Sequence, residues 1–107
     1  MNFLEYQEAT ERTAPTGGKL TRLHNYVYGL NGETGEFTDY LKKVIFHYHR
    51  QDDEAVKSEL GDILYYLTRL CVEFGFTLEE VADYNVNVKL AKRYPDGFDP
   101  ERSQNRA

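Results

Sequence analysis

The 107-residue sequence has a single cysteine, Cys71, and no long apolar run. One cysteine excludes a disulfide within the chain and favours a reducing compartment. No apolar stretch reaches the roughly 18 residues of a transmembrane helix. The N-terminal segment MNFLEYQEATER is too acidic and too polar for a signal peptide. We therefore expect a cytoplasmic protein that does not span a membrane, with Cys71 buried as a small apolar side chain.

Positive charge is also scarce. The chain carries 13 lysine and arginine residues against 18 aspartate and glutamate residues, which gives a net charge of −5. An acidic domain of this kind is not expected to bind a nucleic-acid backbone. A small anionic ligand is compatible with it, because a metal ion can bridge acidic side chains and phosphate.

Several motifs of catalysis and metal binding are missing. The sequence contains no Gly-x-x-x-x-Gly-Lys, no Gly-x-Ser-x-Gly and no Cys-x-x-Cys. None of the three histidines follows an acid by three residues, which excludes the Glu-x-x-His pattern of di-iron bundles. Strand signals are absent too. What is left is an all-α domain whose chemistry would have to rely on carboxylates.

Apolar periodicity predicts a compact bundle of about four main helices, near 3–13, 19–46, 54–74 and 77–93. Asn2 with Glu5, and Thr77 with Glu80, have the spacing of capping boxes, and Asp52 or Asp53 can cap the third helix. We expect one domain over 1–94 and an irregular tail over 95–107. Since glycine is a poor helix former, the second helix is expected to be interrupted near residues 29–32.

Two apolar seams are visible. In the second helix, Leu30, Phe37, Tyr40 and Val44 recur at helical spacing, and Glu33 occupies the seam position between the first two. The seam of the third helix is the clearest in the chain. It comprises Val56, Leu60, Ile63, Leu67, Leu70 and Phe74.

Two carboxylate pairs, Glu33/Glu36 and Glu59/Asp62, flank these seams. Residues three apart share one face of a helix, so two such pairs on adjacent helices can bring four carboxylates together. Like charges at that density need a cation between them, and hard oxygen ligands favour Mg²⁺ or Mn²⁺. The spacing alone is a weak signal, because the same pattern recurs elsewhere in the chain. A buried, unpaired Glu33 would be costly, and this favours a metal site.

One geometric difficulty accompanies this hypothesis. The two pairs lie at unequal distances from the turn between the helices. In a straight hairpin, with a rise of 1.5 Å per residue, they would therefore be offset along the helix axis by several ångström. We therefore expect either that the helices cross or that one of them ends early. Gly32 and Gly35 beside the acids would leave space for metal, water or phosphate, or allow a close approach of the third helix.

The fourth helix offers positive charge. Asn85, Lys89 and Arg93 are spaced four apart and share one face, where they can contact phosphates. The competing explanation is the ordinary enrichment of basic residues in the last turn of a helix.

Taken in order, YGLNGETGEF, LKKVIFHYH, KSELGDILYYL and FTLEEVADYNVNVKLAKRYPDGF resemble the MazG-like all-α nucleoside triphosphate pyrophosphohydrolases, particularly the compact bacterial and phage forms. YQEATERTAP resembles the opening helix of that family. Where this family often has a doubled acid in its first motif, this chain has Gly32.

The resemblance implies an enzyme in which Glu33, Glu36, Glu59 and Asp62 bind Mg²⁺, with Mn²⁺ as a substitute. Water would split the α–β phosphoanhydride of a nucleoside triphosphate and release the monophosphate and pyrophosphate. Lys89, Arg93 and an asparagine would bind the phosphates. The family's asparagine falls at Val86 here, so Asn85 is preferred over Asn87 on helical phase alone. The resemblance also implies a homodimer or homotetramer.

Two alternatives stay open. One is a specialised relative that acts on dUTP, dCTP, a modified nucleotide or an alarmone. The other is a non-catalytic helical oligomerisation or regulatory module, although such a module has no need to keep Glu33 in an apolar seam. Base preference, the identity of the general base and the number of metal ions cannot be read from the sequence.

Overall fold

The structure is a computed structural model and describes residues 1–105. This part of the chain is all-α, as predicted, and contains no β-strand. The helices, in chain order, are α1 (Phe3–Thr10), α2 (Lys19–Phe46), α3 (Asp53–Glu73), α4 (Leu78–Tyr84) and α5 (Pro100–Gln104). A single 3₁₀ turn, Glu11–Thr13, follows α1. Helix α4 is extended by a π-helical segment, Asn85–Leu90, and a last turn, Ala91–Arg93.

The predicted helix starts are confirmed. Asn2 and Glu5 form a reciprocal capping box on α1, and Thr77 and Glu80 form another on α4. At the start of α3 the Asp52 side chain accepts a hydrogen bond from the Glu54 amide. Each cap satisfies amide groups that have no partner within the helix, which is why these residues begin helices.

Two local predictions were wrong. Helix α2 continues without interruption through Gly29, Gly32 and Gly35, because its packing along α3 outweighs the weak helix propensity of glycine. The tail is not wholly irregular, since Pro100–Gln104 is helical. Asp99 caps that helix, and Pro100 at its first position has a backbone angle that suits a helix.

Helices α2 and α3 form the main packed pair of the molecule. Near one end, the Arg22 guanidinium makes two bonds to the Glu73 carboxylate, at 2.5 Å and 3.2 Å. Helix α1 lies against α3 and α4. The Leu78 amide donates to the Gln7 side-chain oxygen over 2.9 Å, and Arg69 donates to Thr10 Oγ1 over 3.1 Å.

The apolar core of the single chain is small. Among the described residues, the buried apolar side chains are Tyr26, Cys71 and Leu78, which confirms the prediction for Cys71. Half of the predicted α3 seam is exposed: Leu60, Leu67 and Phe74 keep 47%, 39% and 60% of their surface. The other half, Val56, Ile63 and Leu70, is partly buried.

That difference has a geometric reason. Only one long helix packs against α3, so an apolar stripe broader than one contact line cannot be covered within the chain. None of the described helices is long and apolar enough to cross a membrane.

Candidate metal centre

The two carboxylate pairs reach the same level because the connection between α2 and α3 folds back along α2. The Asp52 amide donates to the Tyr40 hydroxyl over 2.8 Å, so α3 begins beside Tyr40 and not beside the end of α2 at Phe46. Counted from Tyr40, Glu33 is seven residues away, or about 10 Å along the axis, and Glu59 lies about 9 Å into α3. The two carboxylate pairs therefore lie at nearly the same height along the helix axes, and the mismatch expected for a straight hairpin does not arise. Helix α2 extends past the start of its partner.

Three of the four predicted acids meet. One carboxylate oxygen from each of Glu33, Glu59 and Asp62 lies within 4.8 Å of the other two. Glu36 is not in this group of three, but its carboxyl lies beside Glu33 and affects its titration. The structure therefore brings the two predicted pairs to one place on the α2–α3 surface.

Burial makes this cluster unfavourable for negative charge alone. Glu33 Oε2 and Glu59 Oε2 are buried and have no hydrogen-bond partner among the described residues. Burial raises the pKa of the Glu33 carboxyl, and the neighbouring Glu36, Asp62 and Glu59 carboxyls raise that pKa further. A buried polar oxygen without a partner costs free energy unless something else satisfies it.

The donor set fits a hard divalent cation. All the converging atoms are carboxylate oxygens, with no thiolate or imidazole among them, and such a set suits Mg²⁺ or Mn²⁺ more than a softer metal. A bound cation would satisfy the two buried oxygens and offset the repulsion among the acids. On these grounds Glu33, Glu59 and Asp62 could hold a metal ion.

An open cavity of about 540 Å³ adjoins the cluster. It is lined by Gly32, Gly35, Glu36, Asp39, Tyr40, Lys43 and Glu59. Apart from the adjacent residues and the nearby backbone of α2 itself, no atom of residues 1–105 lies within 4 Å of the position that a Cβ would take at Gly32 or Gly35. Of the two roles considered for these glycines, open space beside the acids is the one observed.

The close approach between α2 and α3 occurs instead at Gly29. A Cβ built there would lie 2.4 Å from Cε1 and Cζ of the Tyr66 ring, so any side chain would displace that ring. Burial raises the pKa of the Tyr66 hydroxyl, and the nearby Glu33, Tyr65 and Asp62 raise it further.

Tyr66 is thus a neighbour of the acids that the sequence did not single out. Tyr65 packs edge-on against the Tyr66 ring at 5.2 Å and accepts a hydrogen bond from the Thr13 hydroxyl over 3.0 Å. Burial, followed by Tyr65 and Asp62, raises the pKa of Tyr6. The two adjacent tyrosines of ELGDILYYL could have indicated a site residue. With fifteen tyrosine and phenylalanine residues in the chain, however, the sequence gives no reason to choose these two.

The predicted phosphate-binding residues of the fourth helix lie elsewhere in the single chain. Lys89 and Arg93 line a different cavity of about 510 Å³, together with Tyr84, Val88, Lys92, Arg102 and Asn105. Neither candidate asparagine lines it: Asn85 is exposed, and Asn87 donates to the Asp83 carboxylate over 2.7 Å. Within the described part of the chain, the π-helical segment, which carries Asn85, Asn87 and Lys89, packs mainly on the rest of its own helix.

The fold and the site together define a class: an all-α protein with a cluster of carboxylates, able to hold a metal ion, between two antiparallel helices. Residues 21–98 match the family model of the MazG nucleotide pyrophosphohydrolase domain, and the chain belongs to that family. The match leaves α1 outside and runs past Arg93 to Phe98.

One curated relative is Gene 37 protein of Mycobacterium phage L5. It is 30% identical over 112 residues, which cover 94% of this chain and 96% of the phage protein. Its name states no activity. No solved structure shows a significant match to the chain.

Proposed function

We propose that this protein is a Mg²⁺-dependent nucleotide pyrophosphohydrolase that cleaves the α–β phosphoanhydride of (deoxy)nucleoside triphosphates. The observation that carries the proposal is the convergence of Glu33, Glu59 and Asp62, with two buried carboxylate oxygens left without a partner, in a chain of the MazG family. Glu36, beside Glu33 and facing the cavity, is the proposed fourth ligand.

In the proposed reaction, water supplies the oxygen that forms a new bond to phosphorus, and the bridging bond between the α and β phosphates breaks. When bound, Mg²⁺ would neutralise phosphate charge and polarise the reacting phosphorus. The four carboxylates would fix the position of the ion, and one carboxylate oxygen not engaged by it would accept the proton of the water. The products are a nucleoside monophosphate and pyrophosphate.

A narrower form of this proposal restricts the substrate to dUTP, dCTP, a modified nucleotide or an alarmone. A non-catalytic helical module is the competing function. Two unpartnered buried carboxylate oxygens argue against it, because they destabilise a protein that never binds a cation.

We also propose that the protein forms a homo-oligomer, a dimer or a tetramer, and that it acts in the cytoplasm. In one chain Lys89 and Arg93 line a cavity separate from that of Glu36 and Glu59. We retain Lys89, Arg93 and an asparagine, Asn85 by preference, as phosphate ligands in an arrangement where α4 of one copy lies beside the α2–α3 pair of another.

The test is a screen of purified protein against the common ribo- and deoxyribonucleoside triphosphates with Mg²⁺, with products separated by chromatography. We expect monophosphate and pyrophosphate in equal amounts from at least one substrate, and no turnover in chelator. Formation of diphosphate and orthophosphate, or absence of turnover with every nucleotide, would contradict the proposal.

A matched pair of variants assigns the activity to the site. Glu59→Gln should abolish turnover while circular dichroism and thermal unfolding stay close to those of the wild type. Glu54→Gln, on the exposed first turn of the same helix and outside the cluster, should retain full activity. If Glu59→Gln keeps most of the wild-type activity, the site assignment is wrong.

A further inference from the structure

One basic side chain, Lys43, lines the cavity beside the acids, and it has no part in the function proposed so far. Of the seven residues that line it, three are acidic, Glu36, Asp39 and Glu59, and one is basic, Lys43. A phosphate chain entering this cavity would meet a surface that is mostly negative, and a bound divalent cation offsets only part of that charge. A basic side chain in this cavity would offset more of the negative charge.

Lys43 has a suitable place for this role. Glu36 and Lys43 are seven residues apart on α2 and share one face, so Lys43 stands two turns, or about 10 Å, along the axis from Glu36. An extended phosphate chain would bridge the carboxylates and Lys43 more readily than a single phosphate. At the carboxylate end of the cavity, Gly32 and Gly35 leave open space beside Glu36, since beyond their immediate neighbours and the backbone of α2 no described atom lies within 4 Å of a Cβ position there.

The present partner of Lys43 does not hold it firmly. Its ammonium contacts Asp39 one turn earlier over 2.9 Å, with side-chain exposures of 46% and 54% for the two residues. Exposed pairs of this kind contribute little to stability, and a lysine side chain has the flexibility to exchange one anion for another. A phosphate oxygen can therefore replace the Asp39 carboxylate without a change in the backbone.

We propose that Lys43 is a phosphate-binding residue of this site, contributed by the same chain as the carboxylates and distinct from the basic residues of α4. This inference rests on the proposed function. It extends that function by naming the side chain that binds the end of the polyphosphate farthest from the metal ligands.

The test compares Lys43→Gln with Lys42→Gln. Both variants remove one positive charge from adjacent positions of α2, but Lys42 does not line the cavity. We expect Lys43→Gln to raise KM for the preferred triphosphate about tenfold, the loss typical of one charged hydrogen bond, while Lys42→Gln leaves KM unchanged. Lys43→Arg should recover most of the affinity.

A second measurement separates this inference from the proposed function. Calorimetric titration with inorganic tripolyphosphate and Mg²⁺ requires no turnover, and the same loss of affinity is expected for Lys43→Gln only. Titration with Mn²⁺ alone should be the same for both variants, since the metal ligands are untouched. A lysine with a merely structural role would lower the midpoint of thermal unfolding and leave KM and tripolyphosphate affinity unaltered.

The outcomes are distinct. If the wild type turns over triphosphates but Lys43→Gln and Lys42→Gln have the same KM, the inference about Lys43 fails and the proposed function stands. If no nucleotide is turned over, the proposed function fails, and the inference fails with it unless tripolyphosphate affinity still separates the two variants.

Discussion

At the scale of single residues, Glu33 shows how a local irregularity in a sequence can indicate function. It occupies a position where the α2 seam requires an apolar side chain. In the structure its Oε2 atom is buried and has no hydrogen-bond partner within residues 1–105. Burial and three neighbouring carboxyls raise its pKa, so the folded protein accommodates this charge poorly on its own. A residue that destabilises the fold and is nevertheless present is a good candidate for ligand binding.

Gly29 leads to the first prediction at this scale. Gly29→Ala should destabilise the protein by about 1–2 kcal/mol, because the new Cβ would lie 2.4 Å from the Tyr66 ring and overpacking outweighs the better helix propensity of alanine. Urea unfolding followed by circular dichroism would measure the change.

Gly35→Ala is the matched control on the same helix. Its Cβ meets open space, so helix propensity alone should act, and we expect a gain of up to about 1 kcal/mol. If both substitutions stabilise the protein equally, the tight contact at Gly29 does not exist. The loss at Gly29 should also shrink in a Tyr66→Ala background, since the clash is then removed.

At the scale of elements, the α2–α3 pair is held at two levels. The Arg22–Glu73 ion pair closes one end, and the Tyr40 hydroxyl, bonded to the Asp52 amide, fixes the other. The carboxylates of the candidate metal centre lie between these two contacts. Because both fix the register of the helices, they also fix which acids face each other.

The ion pair predicts a pH-dependent contribution to stability. The hydrogen bond from Arg22 holds the pKa of the Glu73 carboxyl below its ordinary value. The folded state therefore favours the ionised form. The resulting stabilisation is full above the pKa of an unfolded glutamate, about 4.3, and is lost as the pH falls through the lower pKa of the folded state.

Glu73→Gln should accordingly be less stable than the wild type at pH 7, and the difference should shrink progressively below about pH 4. Urea unfolding of both proteins across this range would show it. Glu8→Gln, an exposed acid on α1, should track the wild type at every pH. A deficit of Glu73→Gln that is the same at acidic and neutral pH would contradict the assignment.

At the scale of the whole molecule, one chain is more open than a compact domain of its length. Its radius of gyration is 16.9 Å, against about 13 Å expected for a compact domain of this length. Its accessible surface is 8222 Å², where a folded monomer of 12.5 kDa would have about 6,200 Å². The excess of about 2,000 Å² on one chain is above the roughly 800 Å² that each partner buries in a standard interface, and is in the range of the larger, obligate interfaces.

The exposed line Leu60, Leu67 and Phe74 on α3 is the part of this surface that we expect a second copy to cover. Sedimentation equilibrium should therefore give a mass of at least twice 12.5 kDa. Leu67→Glu should shift the protein towards monomer, because burying a charge in an apolar interface is unfavourable. Leu20→Glu, at the exposed start of α2, should not. A wild type that is monomeric at high concentration would refute this expectation.

The amino-acid sequence was enough to predict the all-α class, the positions of four helices, their caps and the two carboxylate pairs. These are local properties: hydrophobic periodicity, capping side chains and residue spacing act within a few turns of one helix. For the same reason the sequence also suggested the family, whose motifs are short and occur in a fixed order.

The remaining features follow from contacts between helices. Four features depend on which surfaces meet. They are the loop that brings the two carboxylate pairs to the same height, the closeness of Tyr66 to Gly29, the exposure of half the α3 seam, and the separation of Lys89 from the acids. Those contacts join residues far apart in sequence, and the spacing along one helix carries no information about them. Glu33 was recognisable as an anomaly from the sequence, but its partners Glu59 and Asp62 meet it only because α3 begins beside Tyr40.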